Sequence, residues 1–261
     1  MVRQLTETRL QLQLATAEVA ALKLAAERAR ARQMEFLAFV AHELRNPLAP
    51  IRTATAVLSH GRAEDGVAMR TIIDRQVTQL SRMIDDLLDV TRASTGRLRL
   101  IPGRVNLQDV VAQAVDNTAA AISRRSQRLD ISGLDGPVDL DGDHTRLIQV
   151  LSNLLDNASK YSPDGKSIQL ATKLLEHSVE LSVVDSGIGM SMQALDNVFD
   201  PFAQELHAVG FNASGLGIGL AVVRDIVEAH GGRVTAASAG LGQGSRFVVT
   251  LPRMSSRTLA V

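Results

Sequence analysis

The chain has 261 residues, room for one large domain or two modest ones, and its 45% hydrophobic and 21% charged content suits a buried core. Its 28 Lys and Arg balance its 28 Asp and Glu, which argues against a nucleic-acid binder driven by a basic surface. The absence of cysteine excludes disulfides, thiolate zinc sites and Cys nucleophiles, and neither a bilayer-length apolar run nor a signal-peptide pattern is present. Aromatic residues are only 3% with no Trp, so the core has to be built from Leu, Val, Ile and Ala.

Residues 1–35 are rich in Ala, Leu, Glu, Arg and Gln and contain neither Gly nor Pro, a composition that favours one long helix. Leu5, Leu12, Val19 and Ala26 fit one heptad position, and Leu22, Ala29, Phe36 and Val40 also fall on the two core positions. The spacing predicts a dimeric coiled coil running into the next segment. The competing reading is a solitary amphipathic helix packed on another domain. A sensory domain upstream, absent from this chain, is expected. The chain is then cytoplasmic, whether or not such a missing part anchors the full-length protein to a membrane.

From Phe36 to Arg52 the pattern stays helical. At about 100° per residue, Phe36, Val40, Leu44, Pro47, Ile51 and Leu58 share one side and His42 lies almost opposite. A neutral imidazole nitrogen is a competent nucleophile. Glu43 follows it, and Asn46 is one turn on, on the same face. Pro47 removes a backbone donor and should bend the helix without ending it. The plain alternative is a lone surface histidine. The stretch FLAFVAHELRNPL resembles the phospho-acceptor box of sensor histidine kinases. The resemblance implies that His42 takes phosphate from ATP, that Glu43 orients or deprotonates it, and that an ATP-binding domain lies downstream. It also implies that Asn46 supports dephosphorylation of a partner response regulator.

Turn residues mark 59–66, and a second helix is predicted to about Ser94, with Ile73, Val77, Leu80, Ile84 and Leu87 forming a seam. Two such helices cannot bury their seams alone, but two copies can, as a four-helix bundle. Ser94-Thr95-Gly96 reads as a domain boundary. Beyond it, RLRLIPGRVNL suggests a strand and turn. Leu107 to about Ser126 reads as helix, and 128–132 and 138–140 as short strands. Asp143 N-caps a helix from His144 to about Lys160. Two strands, 168–175 and 179–185, are followed by a loop-rich stretch, 186–214. A helix from about Leu216 to Ala229 ends at Gly231-Gly232, and 233–238 with 246–251 close the chain as a hairpin. A mixed sheet with helices on one face makes an α+β sandwich.

Five short motifs carry the chemistry of this second half. Asn153 and Asn157 lie one turn apart on a helix, so their amides face one way. An amide oxygen suits Mg²⁺, and Lys160 can reach phosphate as a point charge. Asp185 ends a strand, with Gly187 and Gly189 behind it. Phe199 and Phe202 stand in VFDPFAQ. Gly215, Leu216, Gly217 and Gly219 open a helix whose free N–H groups suit a phosphate chain, and Gly244 and Ser245 lie in GQGSRF. Each motif has a plain reading as a solvated helix face, a turn or a core plug. Together, in this order, they resemble the N-box, glycine boxes and F-box of the histidine kinase ATP-binding domain.

The resemblance implies that Asn157 binds Mg²⁺. It implies that Asn153, Lys160 and Tyr161 line the ATP site, that Asp185 accepts from the adenine amino group, and that Phe199 and Phe202 anchor a lid. Residues 203–214 contain no Lys or Arg, and Gln204 stands where the family often has Arg or Gln. Neutralisation of the γ-phosphate is therefore expected from Mg²⁺, Lys160 and backbone dipoles.

The domains expected are a coiled coil at 1–35, a dimerisation and phosphotransfer domain at 36–95, an ATP-binding domain at 96–255 and a tail at 256–261. The function implied is ATP-dependent autophosphorylation of His42 in a homodimer, then transfer to a response-regulator Asp. The competing functions are a nucleotide-binding scaffold and a gyrase-like ATPase.

Overall fold

A computed structural model describes residues 2–60, 66–94, 99–134, 136–201, 203 and 217–253. Thr95 and Gly96 of the expected hinge, Phe202, Gln204, Gly215, Leu216, most of the expected lid and the tail lie outside them. The chain divides into two compact units, residues 1–78 and 79–261, so the division falls within the second helix and upstream of the expected hinge.

The first helix, α1, spans Val2–His60 and runs through both Pro47 and Pro50 without ending. Val40, Pro47 and Ala54, seven residues apart, are buried among its described side chains. Val19, Leu22, Leu37, Leu48 and Leu58 are exposed in the single chain. The second helix, α2, spans Gly66–Ser94. Of its expected seam, Ile73, Leu80 and Leu87 are half-buried while Val77 and Ile84 are exposed. No helix among the described residues is long and apolar enough to cross a membrane.

The second unit is an α/β sandwich. Strand β1 (Gly103–Asn106) leads into α3 (Leu107–Arg124), followed by β2 (Arg128–Ser132) and β3 (Asp139–Gly142). Helix α4 (His144–Tyr161) precedes the hairpin of β4 (Ser167–Leu174) and β5 (Ser178–Asp185). A short α5 (Met192–Asn197), α6 (Gly219–Ala229), β6 (Arg233–Ala237) and β7 (Arg246–Pro252) complete it. The main sheet runs β2-β4-β5-β7-β6. Only the β2–β4 pair is parallel. Strands β1 and β3 form a separate antiparallel pair.

Register puts Leu170, Val183 and Phe247 side by side, with Leu181 beside Val249 and Val179 beside Leu251. All are buried, because alternate residues of a strand share a face. Leu147, Val150, Leu151, Leu154 and Leu155 of α4 are buried, as are Val222, Val223, Ile226 and Val227 of α6. Burying one such aliphatic side chain contributes about 1.5–3 kcal/mol, so the helix layer is held to the sheet by apolar contact.

The expected Asp143 cap is present, its carboxylate accepting from Arg146 N at 3.1 Å. Helix α6 ends as expected, with Gly231 at φ +70°, a left-handed conformation that glycine adopts without strain. The loop-rich stretch 186–214 holds a short helix, α5, which Ser191 starts by accepting from Ala194 N. One expectation is corrected. Helix α6 begins at Gly219, not near Leu216, with Ile218 at its cap and no side chain on its first-turn N–H groups.

Candidate functional site

A cavity of about 310 Å³ opens between α4, α5, the loop after β5, the start of α6 and β7. Five of the candidate residues line it: Asn157, Tyr161, Asp185, Gly189 and Ser245. Asn157 and Tyr161 share the last turns of α4 and so share a face.

Asp185 is the last residue of β5 and is 7% exposed. One carboxylate oxygen, Oδ1, accepts from Gly187 N at 2.8 Å and from Ser245 N at 3.2 Å. Burial pushes this carboxyl above its ordinary range, and the N–H groups of Gly187 and Ser245 with the Ser245 hydroxyl only partly offset it. A buried carboxylate at a cavity wall is a strong acceptor for a donor that a ligand brings.

The loops behind Asp185 are joined backbone to backbone. Gly244 N donates to Gly187 O at 3.1 Å, Gly242 N to Ile188 O at 2.6 Å, and Asp185 N to Ser245 O at 2.9 Å. The Ser238 hydroxyl accepts from Met190 N at 3.0 Å. This closeness explains two glycines. Gly189 sits at φ +66° where a Cβ would lie 2.0 Å from Gly240 O, and Gly244 sits at φ +69° with a Cβ 2.1 Å from Asp185 O. Any side chain there would force the two loops apart.

Other described candidates of this unit lie close to those that line the cavity. Asn153 donates its amide to Gly219 O at 3.2 Å, tying α4 to the first turn of α6. Lys160 places its ammonium 4.8 Å from the Tyr161 ring centroid, a cation–π distance. Phe199 packs edge-on against Phe247 at 6.3 Å between centroids, and Phe247 lines the cavity. Gly187 lies under the Tyr161 carbonyl, where a Cβ would meet the oxygen at 2.4 Å. Gly217 and Gly219 precede and open α6.

The motif reading missed an apolar wall of Ile188, Met190, Val198 and Leu220 together with the α5 side chains Gln193 and Asn197. Ser191, an N-cap residue three positions before Ala194, was the available signal for α5. The apolar wall had none, because its members come from separate elements.

In the first unit, the His42 side chain is 68% exposed and its Nδ1 lies 3.6 Å from Glu43 Oε1. The same oxygen accepts from the Asn46 amide at 3.1 Å. Glu43 is thus held between the two on one helix face.

Residues 32–96 match the His Kinase A (phospho-acceptor) domain, and residues 142–255 match the histidine kinase-, DNA gyrase B- and HSP90-like ATPase domain. The adaptive-response sensory kinase SasA of Synechococcus elongatus is 35% identical over 233 residues, 84% of this chain and 58% of that protein. The chain spans about half or less of the length of other curated relatives it matches. Acinetobacter baumannii histidine kinase AdeS superposes with a TM-score of 0.61 at 25% identity, covering 82% of this chain and 98% of that one. Full-length ShkA in complex with AMPPNP gives a TM-score of 0.61 at 25% identity, over 85% of this chain and 46% of that one. With an exposed His-Glu pair in one matched region and a cavity closed by Asp185 and the glycine loops in the other, the chain belongs to the sensor histidine kinases and contains their catalytic core.

Proposed function

We propose that this chain is an ATP-dependent protein-histidine kinase of a two-component system. It phosphorylates itself on His42 and passes the phosphoryl group to an aspartate of a response regulator. The observation that carries the reading is the His42–Glu43 geometry. The Glu43 carboxylate lies 3.6 Å from Nδ1 of an exposed imidazole, which favours a proton on that nitrogen and leaves Nε2 as the nucleophile.

ATP fits the cavity in the second unit. Asp185 accepts from the adenine amino group, Met190, Val198 and Leu220 provide apolar surface for the base, and the open N-terminus of α6 faces negative charge favourably. That ShkA was solved with AMPPNP supports the same choice of ligand. Asn157 would hold Mg²⁺. Among the described residues no cluster of His, Asp or Glu competes for a metal, and one amide oxygen with nucleotide phosphates and waters suits this ion. The ion would neutralise phosphate charge. Lys160, Gly215 and Gln204 are assigned to the phosphate side, and Phe199 with Phe202 to the lid.

The chemistry is an in-line displacement. Nε2 of His42 attacks the γ-phosphorus, the N–P bond forms as the bond to the β,γ-bridging oxygen breaks, and ADP leaves. Glu43 holds the Nδ1 proton and stabilises the positive charge that develops on the ring. The protein supplies position and charge more than covalent help, so the rate depends on how the bound nucleotide is brought to His42.

The bundle is assigned as a homodimer, and Asn46 is assigned a second role. Its amide can orient a water for attack on a phosphorylated regulator, which would make the chain bifunctional.

Labelled [γ-³²P]ATP tests these assignments. The parent protein should take up label, and His42→Gln should take up none while still binding MgADP. Label surviving in His42→Gln would move the acceptor elsewhere, free phosphate without label would make the chain an ATPase, and neither would make it a scaffold. Asn46→Ala should keep labelling within severalfold while regulator dephosphorylation falls sharply. Because Asn46 also donates to Glu43, equal losses in both activities would show that its main work is to hold that carboxylate.

A further inference from the structure

The last turn of α4 carries Asn157 and Tyr161 to the cavity wall, and Pro163 stops the helix just beyond it, because the residue before a proline is pushed out of helical geometry. The cap residue Ser162 is extended, at φ −92° and ψ 144°, and no glycine follows until Gly165. A helix end leaves its final four carbonyls without intrahelical partners. Here all four have partners. Ala158 O accepts from Ser162 N at 3.2 Å. Ser159 O accepts from Arg125 Nη1 at 2.6 Å and from Gln127 Nε2 at 3.0 Å. Lys160 O accepts from Arg125 Nη1 at 2.8 Å. Tyr161 O accepts from Ile188 N at 3.1 Å, in the loop behind Asp185.

Two residues from the turn after α3 therefore satisfy the carbonyls of Ser159 and Lys160, and Gln127 reaches further, to Ser162 O and Pro163 O at 3.2 Å each. The buried Gln127 amide is oriented by the Ser159 hydroxyl, which donates to its Oε1 at 2.7 Å. Arg125 is fixed in turn by Asp164 at 2.8 Å. A guanidinium at a helix C-terminus also meets the negative end of the helix dipole. Tyr161 O, the last carbonyl of the helix, accepts from the Ile188 amide, and that bond joins α4 to the Asp185 loop.

We infer that Arg125 and Gln127 are positioning residues of the nucleotide site. They cap α4 from another element and hold its 157–161 turn so that Asn157 and Tyr161 face the cavity and Tyr161 O engages Ile188. Neither touches the cavity. The inference rests on the cavity being the nucleotide site, as proposed above.

The chain offers its own probe. Tyr161 is its one tyrosine and there is no tryptophan, so intrinsic fluorescence reports this turn alone. Arg125→Ala, Gln127→Ala and Arg125→Lys are compared with Asp143→Ala, which loosens the opposite end of the same helix. Acrylamide quenching of Tyr161, calorimetric MgADP affinity and melting temperature are read for each. Arg125→Ala and Gln127→Ala should expose Tyr161 to quencher and weaken MgADP by about tenfold or more, equivalent to about 1.4 kcal/mol. Arg125→Lys should recover part of that affinity, since it keeps the charge and loses the fork. Asp143→Ala should lower the melting temperature and leave Tyr161 quenching and MgADP affinity as in the parent. If the Arg125 and Gln127 variants only melt earlier, with quenching and affinity unchanged, the inference is overturned. Should Gln127→Ala not fold, the two Arg125 variants decide the question. A parent that fails to bind MgADP would remove the nucleotide reading, while Tyr161 quenching would still show whether the clamp holds the turn.

Discussion

Asp185 already accepts from Gly187 N and Ser245 N through Oδ1, which favours its ionised form, yet burial favours the neutral one and outweighs them. Its folded-state pKa is raised, so the native protein binds the proton more tightly than the unfolded chain. Stability from this group is therefore greatest in acid, falls as pH rises from the unfolded value of about 3.9 through the raised folded value, and stays lower at neutral pH. At neutral pH the buried charge therefore costs the domain stability. Asp185→Asn preserves an oxygen for Gly187 N and Ser245 N and removes the buried charge. It should raise the melting temperature of the nucleotide-free protein at pH 7 by about 2–4 °C, the shift that about 1 kcal/mol gives in a domain of this size. Adenine-nucleotide affinity should be lost in the same variant. A lower melting temperature in differential scanning calorimetry would mean that the hydrogen bonds to Asp185 outweigh its desolvation.

Helix α4 is the element on which the second unit turns, and both of its ends are fastened by other parts of the chain. At the N-terminus, Asp143 accepts from Arg146 N through Oδ1 and from Ile101 N at 2.9 Å through Oδ2. Its own N–H donates to His230 Nε2 at 2.9 Å, at the far end of α6. One residue thus caps α4, docks the segment that enters the unit and ties α4 to α6. Burial pushes its carboxyl up, but the N–H groups of Ile101, Arg146 and Thr145 with the Arg146 charge outweigh that and hold it below its ordinary value. A depressed folded pKa supplies stability above about pH 3.9, and that stability is lost as pH falls through the folded value. Asp143→Ala should cost about 0.5–2 kcal/mol at pH 7, the range for a lost helix cap. In urea melts the gap between variant and parent should close as pH drops below about 4, and amide exchange at Ile101 should speed up. A gap independent of pH would show that the carboxylate's charge contributes little.

At the scale of the molecule, the first unit presents more apolar surface than one chain covers. Val40, Pro47 and Ala54 are buried, while Leu48, Leu58, Val67 and Val77 are exposed and Ile73 and Leu80 are half-buried. Val77 belongs to the seam expected in α2, and Leu58 to the apolar side of the His42 helix. Helices of this kind gain their stability from packing such stripes together. The chain should therefore be a dimer through residues 5–90 at micromolar concentration, which light scattering measures directly. A monomeric mass would leave these side chains without a partner and remove the four-helix bundle.

Some of this was determined by the amino-acid order alone. Spacing of Leu and Val placed α2, α3, α4 and both hairpins, because helical and strand periods differ and polar residues interrupt them. Asp143 and Gly231 marked helix ends, since a cap depends on residues next to it in sequence. Asn157, Asp185 and Ser245 were named through their resemblance to family motifs, which are short and local in sequence. Other features needed the folded chain. Asn153 turned to Gly219, Lys160 to its neighbour Tyr161, and Gly189 and Gly244 to carbonyls of other loops. The parallel β2–β4 pair, the apolar cavity wall and the Arg125–Gln127 cap join residues far apart in sequence. A hydrogen bond across 32 residues leaves no periodic trace. Its donor and acceptor meet only after two helices have packed side by side on one sheet.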